Sequence, residues 1–216
     1  MKKERINKKR RQIKKYLVYI ILSLILLFAV LIIMNDLLRN KISLTPYQKD
    51  SLKKIFPSDH IESIKFYEGG LLSIGSTRVI CKSVYIHPNK WGKYIINNPD
   101  SEDAILLMIH ETTHTYQGKR IESCIKMSLS SLYAQFIAFL TKGSRSYAYY
   151  YPINLSSDIK KHYYNPEQEA SIIEDYFYLK FFDGNLSTTN CYDCFENKYF
   201  LDNLEDIYLD ILNKYE

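Results

Sequence analysis

Between Met108 and Gln117 the chain reads MIHETTHTYQ, which sets two imidazoles, His110 and His114, four residues apart with the Glu111 carboxylate beside the first. Successive residues of a helix turn by about 100°, so two residues four apart lie within about 40° of each other and can face one ion. Glu111 falls on the flank of the same face. In this arrangement the imidazoles hold Zn²⁺, and the carboxylate, one layer removed, takes a proton from a water that the ion activates.

Two imidazoles leave a zinc site incomplete, because a third protein ligand is needed and one position must stay open for water. The metzincin continuation is excluded: it would carry its third histidine at position 120, where this chain has Arg120, and Gln117 stands where that pattern has glycine. The remaining candidates are carboxylates on another helix, and YYNPEQEASIIEDYF offers Glu167, Glu169, Glu174 and Asp175. Asn165 is a good cap and Pro166 suits the first helical position, a rigid start that fixes the direction of Glu167. An acid in that first turn is also favoured by the helix dipole without any metal. Two imidazoles and one carboxylate would leave the zinc site a net charge of about +1, enough to polarise a carbonyl and bring the pKa of a bound water to about 7. A donor for the developing oxyanion is wanted as well, and Tyr149, Tyr150, Tyr151 and His162 lie in the irregular stretch between the motif helices.

The elements that must place these groups are legible from pattern. Residues 101–117 form one helix, capped by Asp100 or Ser101, acidic in its first turn at Glu102 and Asp103, and closed by Gly118. Ala104, Ile105, Met108 and Ile109 supply its buried face. Upstream, Thr45-Pro46 opens a short helix, and IESIKFYE, LLSIGS and RVICKSVYIHP read as two or three antiparallel strands joined by tight turns at Gly69-Gly70 and Gly75. Downstream, residues 121–141 contain MSLSSLYAQFIAFLT, fifteen residues without a charge. Four Ser or Thr and a Gln argue for a buried core helix there, since a membrane crossing would also separate the acidic cluster from His110. Helices over 166–182 and 193–215 complete an α+β domain, a small antiparallel sheet followed by a mainly helical part.

The formal charge of +5 belongs to the amino terminus: residues 2–15 hold nine Lys or Arg against one Glu, and the rest is net acidic by three. That distribution argues against a nucleic-acid partner, which needs basic residues on a folded face. Residues 16–34, YLVYIILSLILLFAVLIIM, are nineteen uncharged residues. As a helix they span about 28 Å, close to the bilayer's hydrocarbon thickness. The apolar run is too long for a cleaved signal peptide and lacks a small-residue cleavage site. Three segments follow: a basic cytoplasmic tail at 1–15, a transmembrane signal anchor at 16–34 and a single domain at 35–216. The basic cluster keeps the amino terminus cytoplasmic and the domain outside. Cys81, Cys124, Cys191 and Cys194 then lie in an oxidising compartment, where they can form two disulfides by any of three pairings.

HETTHTYQ at 110–117 together with NPEQEASIIEDYF at 165–177 resembles bacterial zinc metallopeptidases of the gluzincin kind, whose motif helix continues HExxHxxQ and whose later helix begins near NxEQxAxIIxDY. LLSIGSTRVICKSVYI is similar to that family's glycine-containing strand pair, so the resemblance covers about residues 70–177. It implies a zincin-like domain in which His110, His114 and Glu167 are the zinc ligands, Glu111 is the general base, and the substrate is a peptide or protein. Many gluzincins place an Asp four residues after the ligand glutamate to orient a histidine. Ser171 stands there instead, and Asp175, two turns on from Glu167, is a candidate for that task. The alternative is a non-catalytic extracytoplasmic binding or scaffold protein whose metal site is structural or lost.

Overall fold

The computed structural model describes residues 2–73, 76–120, 124–152, 164–184, 189–191 and 200–214. A single helix, α1 (Lys2–Leu37), carries both the basic tail and the apolar segment, and every described apolar side chain from Tyr16 to Met34 is exposed. The chain enters the domain at once: β1 (Arg39–Ile42) follows with only Leu38 between, and Asn35 is already buried.

α2 (Pro46–Lys53) begins as its sequence requires. Thr45 accepts from the Gln48 amide, the Gln48 side chain reaches back to the Thr45 amide, and Pro46 occupies the first turn. The next segment divides into a short α3 (Ser58–Ser63) and β2 (Lys65–Gly69), followed by a 3₁₀ turn at Leu71–Ser73, β3 (Arg78–Ile80) and β4 (Ser83–Ile86).

The four strands lie in the order β1-β2-β4-β3, and this corrects the antiparallel sheet expected from sequence. β1 is antiparallel to β2 and β3 to β4, but β2 and β4 run parallel. The reason lies at Gly69 and Gly70, both at positive φ, 75° and 86°. They turn the chain beneath the end of α1, where the Gly70 amide donates to the Leu38 carbonyl at 3.0 Å and a Cβ would stand 2.6 Å from Asn35 Oδ1. Leu71–Ser73 therefore leaves the sheet instead of returning as a hairpin, and β1 takes the outer place beside β2.

α4 (Lys90–Asn97), capped by Asn89, leads to α5 (Glu102–Arg120), which carries the histidine motif. α5 packs most extensively on α7 (Pro166–Phe181), and Ile105, Met108 and Ile109 share one core with Ile172, Ile173 and Phe177. α2 adds Leu52, the sheet adds Phe66, Val84 and Ile86, and α8 (Phe200–Asn213) adds Leu204, Ile207 and Ile211. Each such side chain contributes about 1.5–3 kcal/mol of burial free energy.

α6 (Cys124–Lys142) departs from the core helix expected there. Only Met127 and Ala138 are buried, while Ile125, Leu129, Tyr133, Phe136 and Leu140 are each more than half exposed. A disulfide between Cys81 and Cys124 ties the start of α6 to the β3–β4 turn, and Cys191 is also disulfide-bonded. Cys194, His162 and the expected helical start at 193 lie outside the described residues.

Candidate metal centre

His110 and His114 project from consecutive turns of α5 with their rings nearly perpendicular, at 82°. From α7, Glu167 Oε2 lies 3.5 Å from His110 Nε2 and 3.3 Å from His114 Nε2. All three side chains are buried, and one ligand atom from each lies within 4.8 Å of the others. Two imidazole nitrogens and a carboxylate oxygen are the donor types of a catalytic zinc site, and the spacing suits one divalent cation. α7 places Glu167 as the sequence suggested: the Asn165 side chain accepts from the Glu167 and Gln168 amides, and Gln168 closes the capping box.

Each member of the group is held by a further contact. His110 Nδ1 meets Glu174 Oε2 at 2.8 Å, and His114 Nδ1 meets Gln117 Oε1 at 2.8 Å. Gln117 in turn donates to the Pro166 carbonyl and to Glu169 Oε2, both at 3.0 Å, and Glu169 also pairs with Lys214 at 3.3 Å. Glu167 Oε1, the oxygen turned away from the histidines, accepts from Ser131 Oγ and, at 2.9 Å, from Gln135 Nε2, one turn apart on α6. The structure thus brings Glu167 to the histidines, turns Glu174 to the back of His110, and leaves Glu169 behind Gln117. Asp175 does not orient a histidine. It accepts from Tyr151 Oη at 2.8 Å and from the Asn190 amide at 2.7 Å.

The charges are mutually dependent. Burial alone would raise Glu167, but the facing His114 and His110 outweigh it and hold the carboxyl well below its usual range. Burial likewise works to lower His110, and Glu167 and Glu174 outweigh it, so both imidazoles of the pair hold protons more tightly than a free histidine. Burial raises Glu111, against the pull of His110 and His114.

Glu111 lies where two openings meet. A cavity of about 350 Å³ is bounded by Arg78, Val79 and Ile80 of β3 on one side and by Ser128, Ser131 and Leu132 of α6 on the other, with Glu111, His114 and Glu167 also lining it. A second, of about 450 Å³, reaches His110, Glu111 and Glu174 from the side of Trp91. Tyr149 lines both, its ring centre 5.6 Å from that of His110. Burial and the neighbouring Glu167 push the Tyr149 hydroxyl far up, so it remains a donor. Of the other oxyanion candidates, Tyr150 lines an apolar groove beside α6 and Tyr151 is buried against Asp175.

Sequence reasoning did not assign roles to Ser131 and Gln135, nor the orienting roles to Gln117 and Glu174. Two of these had a signal: Gln117 is one turn beyond His114, and Glu174 is two turns beyond Glu167. No family model, curated protein or solved structure matches the chain.

Proposed function

We propose that the protein is a membrane-anchored, zinc-dependent hydrolase with a zincin-like domain, acting on peptide bonds. The observation that carries this reading is the convergence of His110, His114 and Glu167 beside a cleft whose floor includes the Glu111 carboxylate. The donor set fits Zn²⁺, held by those three side chains. When bound, the ion supplies a Lewis-acid charge that polarises a carbonyl and acidifies a water.

The remaining work falls to residues of the chain. Glu111 accepts the proton of the attacking water and returns it to the leaving amine nitrogen. Its place in the cleft beside the two histidines puts the carboxylate within reach of both halves of that task. Tyr149 donates its hydroxyl proton as a hydrogen bond to the oxyanion. β3 ends the sheet and borders the cleft, so an extended polypeptide can add along its outer edge. α1, with 23 residues from Lys15 to Leu37 apolar enough to cross a bilayer, anchors the domain. The nine basic residues ahead of the apolar segment keep that end cytoplasmic and set the domain on the outer side.

Glu111→Gln in the full-length protein, purified in detergent micelles, tests the reading against an unfolded protein substrate such as casein. The expected result is unchanged zinc content with hydrolysis lost. Cleavage by the variant at the parent's rate would refute it.

A further inference from the structure

We propose that α6 lies on the lipid headgroup layer of the same membrane that α1 enters, with its exposed apolar stripe inserted among the lipids. Ile125, Leu129, Leu132, Phe136 and Leu140 recur at intervals of three and four residues, so they form one continuous stripe along the helix, and all are exposed. A patch of that size on a folded domain marks a contact surface. Charge then selects the partner. Residues 119–145 carry five bases, Lys119, Arg120, Lys126, Lys142 and Arg145, against the single Glu122, a net +4. The other residues from 16 onward carry 15 bases against 22 acids, a net −7. An apolar helix face flanked at both ends by cations, in an otherwise acidic domain, complements an anionic lipid surface.

The fold keeps the domain close to the anchor. Only Leu38 separates α1 from β1, and Asn35 is buried against the domain, so no linker lets the domain move away from the anchor. A polar edge of α6 beside the stripe turns toward the metal centre through Ser131 and Gln135. Leu132 belongs to both surfaces, since it lines the cleft as well as the stripe. This inference rests on the anchor reading of α1 but not on the proposed hydrolysis.

The test uses the full-length protein in vesicles of phosphatidylglycerol and phosphatidylcholine that contain a trace of photoactivatable lipid, with the diazirine placed near the headgroup in one set and at the chain end in another. Trypsin then releases residues 16–39 and 127–142 as separate peptides. The headgroup-proximal probe is expected to label both peptides, and the chain-end probe residues 16–39 alone. Replacing phosphatidylglycerol with phosphatidylcholine is expected to lower labelling of 127–142 several-fold and leave 16–39 unchanged, and Phe136→Glu with Leu140→Glu should do the same. An unlabelled 127–142 beside a labelled 16–39 would overturn the proposal. So would chain-end labelling of 127–142 equal to that of 16–39, which would mean a second span. Absence of label from 16–39 would remove the anchor and this proposal together. The parent-chain measurement needs no variant to fold.

Discussion

His110 Nδ1 and Glu174 Oε2 are 2.8 Å apart, and Glu174 sits seven residues beyond Glu167 on the same helix. Seven residues make nearly two full turns, so Glu167 and Glu174 share one face of α7: the first meets the front of the histidine and the second its back. Ser171 lies between them on that face, with its buried hydroxyl unpartnered among the described residues.

Glu174 is therefore the residue that fixes the His110 ring, and Ser171 is not. Glu174→Gln is expected to weaken zinc binding about 10- to 100-fold, the usual effect of losing a carboxylate behind a ligand histidine. Ser171→Ala should leave affinity unchanged, because it removes a hydroxyl that makes no bond among the described residues. Competition against a chromophoric chelator measures both.

Gln117 joins His114 to Glu169 and to the start of α7, all within buried surroundings. Gln117→Leu leaves a carbonyl and a carboxylate oxygen without that donor, so a loss of about 1–3 kcal/mol in unfolding free energy is expected. Urea unfolding of the metal-free protein reads it, and a loss below about 0.5 kcal/mol would show that the bridge contributes little.

How much of this was legible follows from what each pattern encodes. The two histidines, Glu111 and the capped Glu167 were readable because helix periodicity and capping act locally; α7 starts where those rules put it, as does α5, but α5 runs through Gly118 to Arg120 instead of closing at that glycine. The contacts behind these side chains were not. Ser131 and Gln135 reach Glu167 from a third helix, and Asp175, the acid suggested from sequence, turns toward Tyr151 and Asn190 instead of a histidine. The sheet was misread for a similar reason. Two glycines are compatible with a hairpin, and only the packing of Asn35 and Leu38 over Gly70 makes them a departure from the sheet. α6 has the composition of a core helix, and nothing local states that the domain leaves its apolar face uncovered.

Asp175 supplies a pH signature of the fold. Burial above all, with the nearby charge of Glu174 adding, raises its carboxyl from 3.8 to about 7. Between about pH 4 and pH 7 the folded protein then holds a proton that the unfolded chain has lost, so this group's contribution falls by about 1.4 kcal/mol per pH unit and is flat above. His60 works in the opposite sense. Burial first, with Lys119 and Lys82 adding, lowers it to about 4, so its contribution rises with pH up to about 6.5. Asp175→Asn should remove the falling component, visible as a stability difference from the parent that changes across that window and is constant above it. Urea unfolding at half-unit pH steps measures this, and a pH-independent difference would rule it out.

Tyr149 lines both openings of the centre. On the proposed mechanism, Tyr149→Phe lowers kcat by about 100-fold with KM nearly unchanged, since the bond it donates forms only as the oxyanion does. Steady-state kinetics on a cleaved peptide separates the two constants. An equal rise in KM with kcat intact would move Tyr149 from catalysis to substrate binding.

The central claim is that one divalent cation is shared by α5 and α7 through His110, His114 and Glu167. Zinc stoichiometry of the full-length protein in detergent micelles, beside His110→Ala and Glu167→Ala, tests it most directly. One zinc per chain in the parent and none in either variant is the predicted result. Undiminished zinc in Glu167→Ala, with its fold intact by circular dichroism, would contradict it.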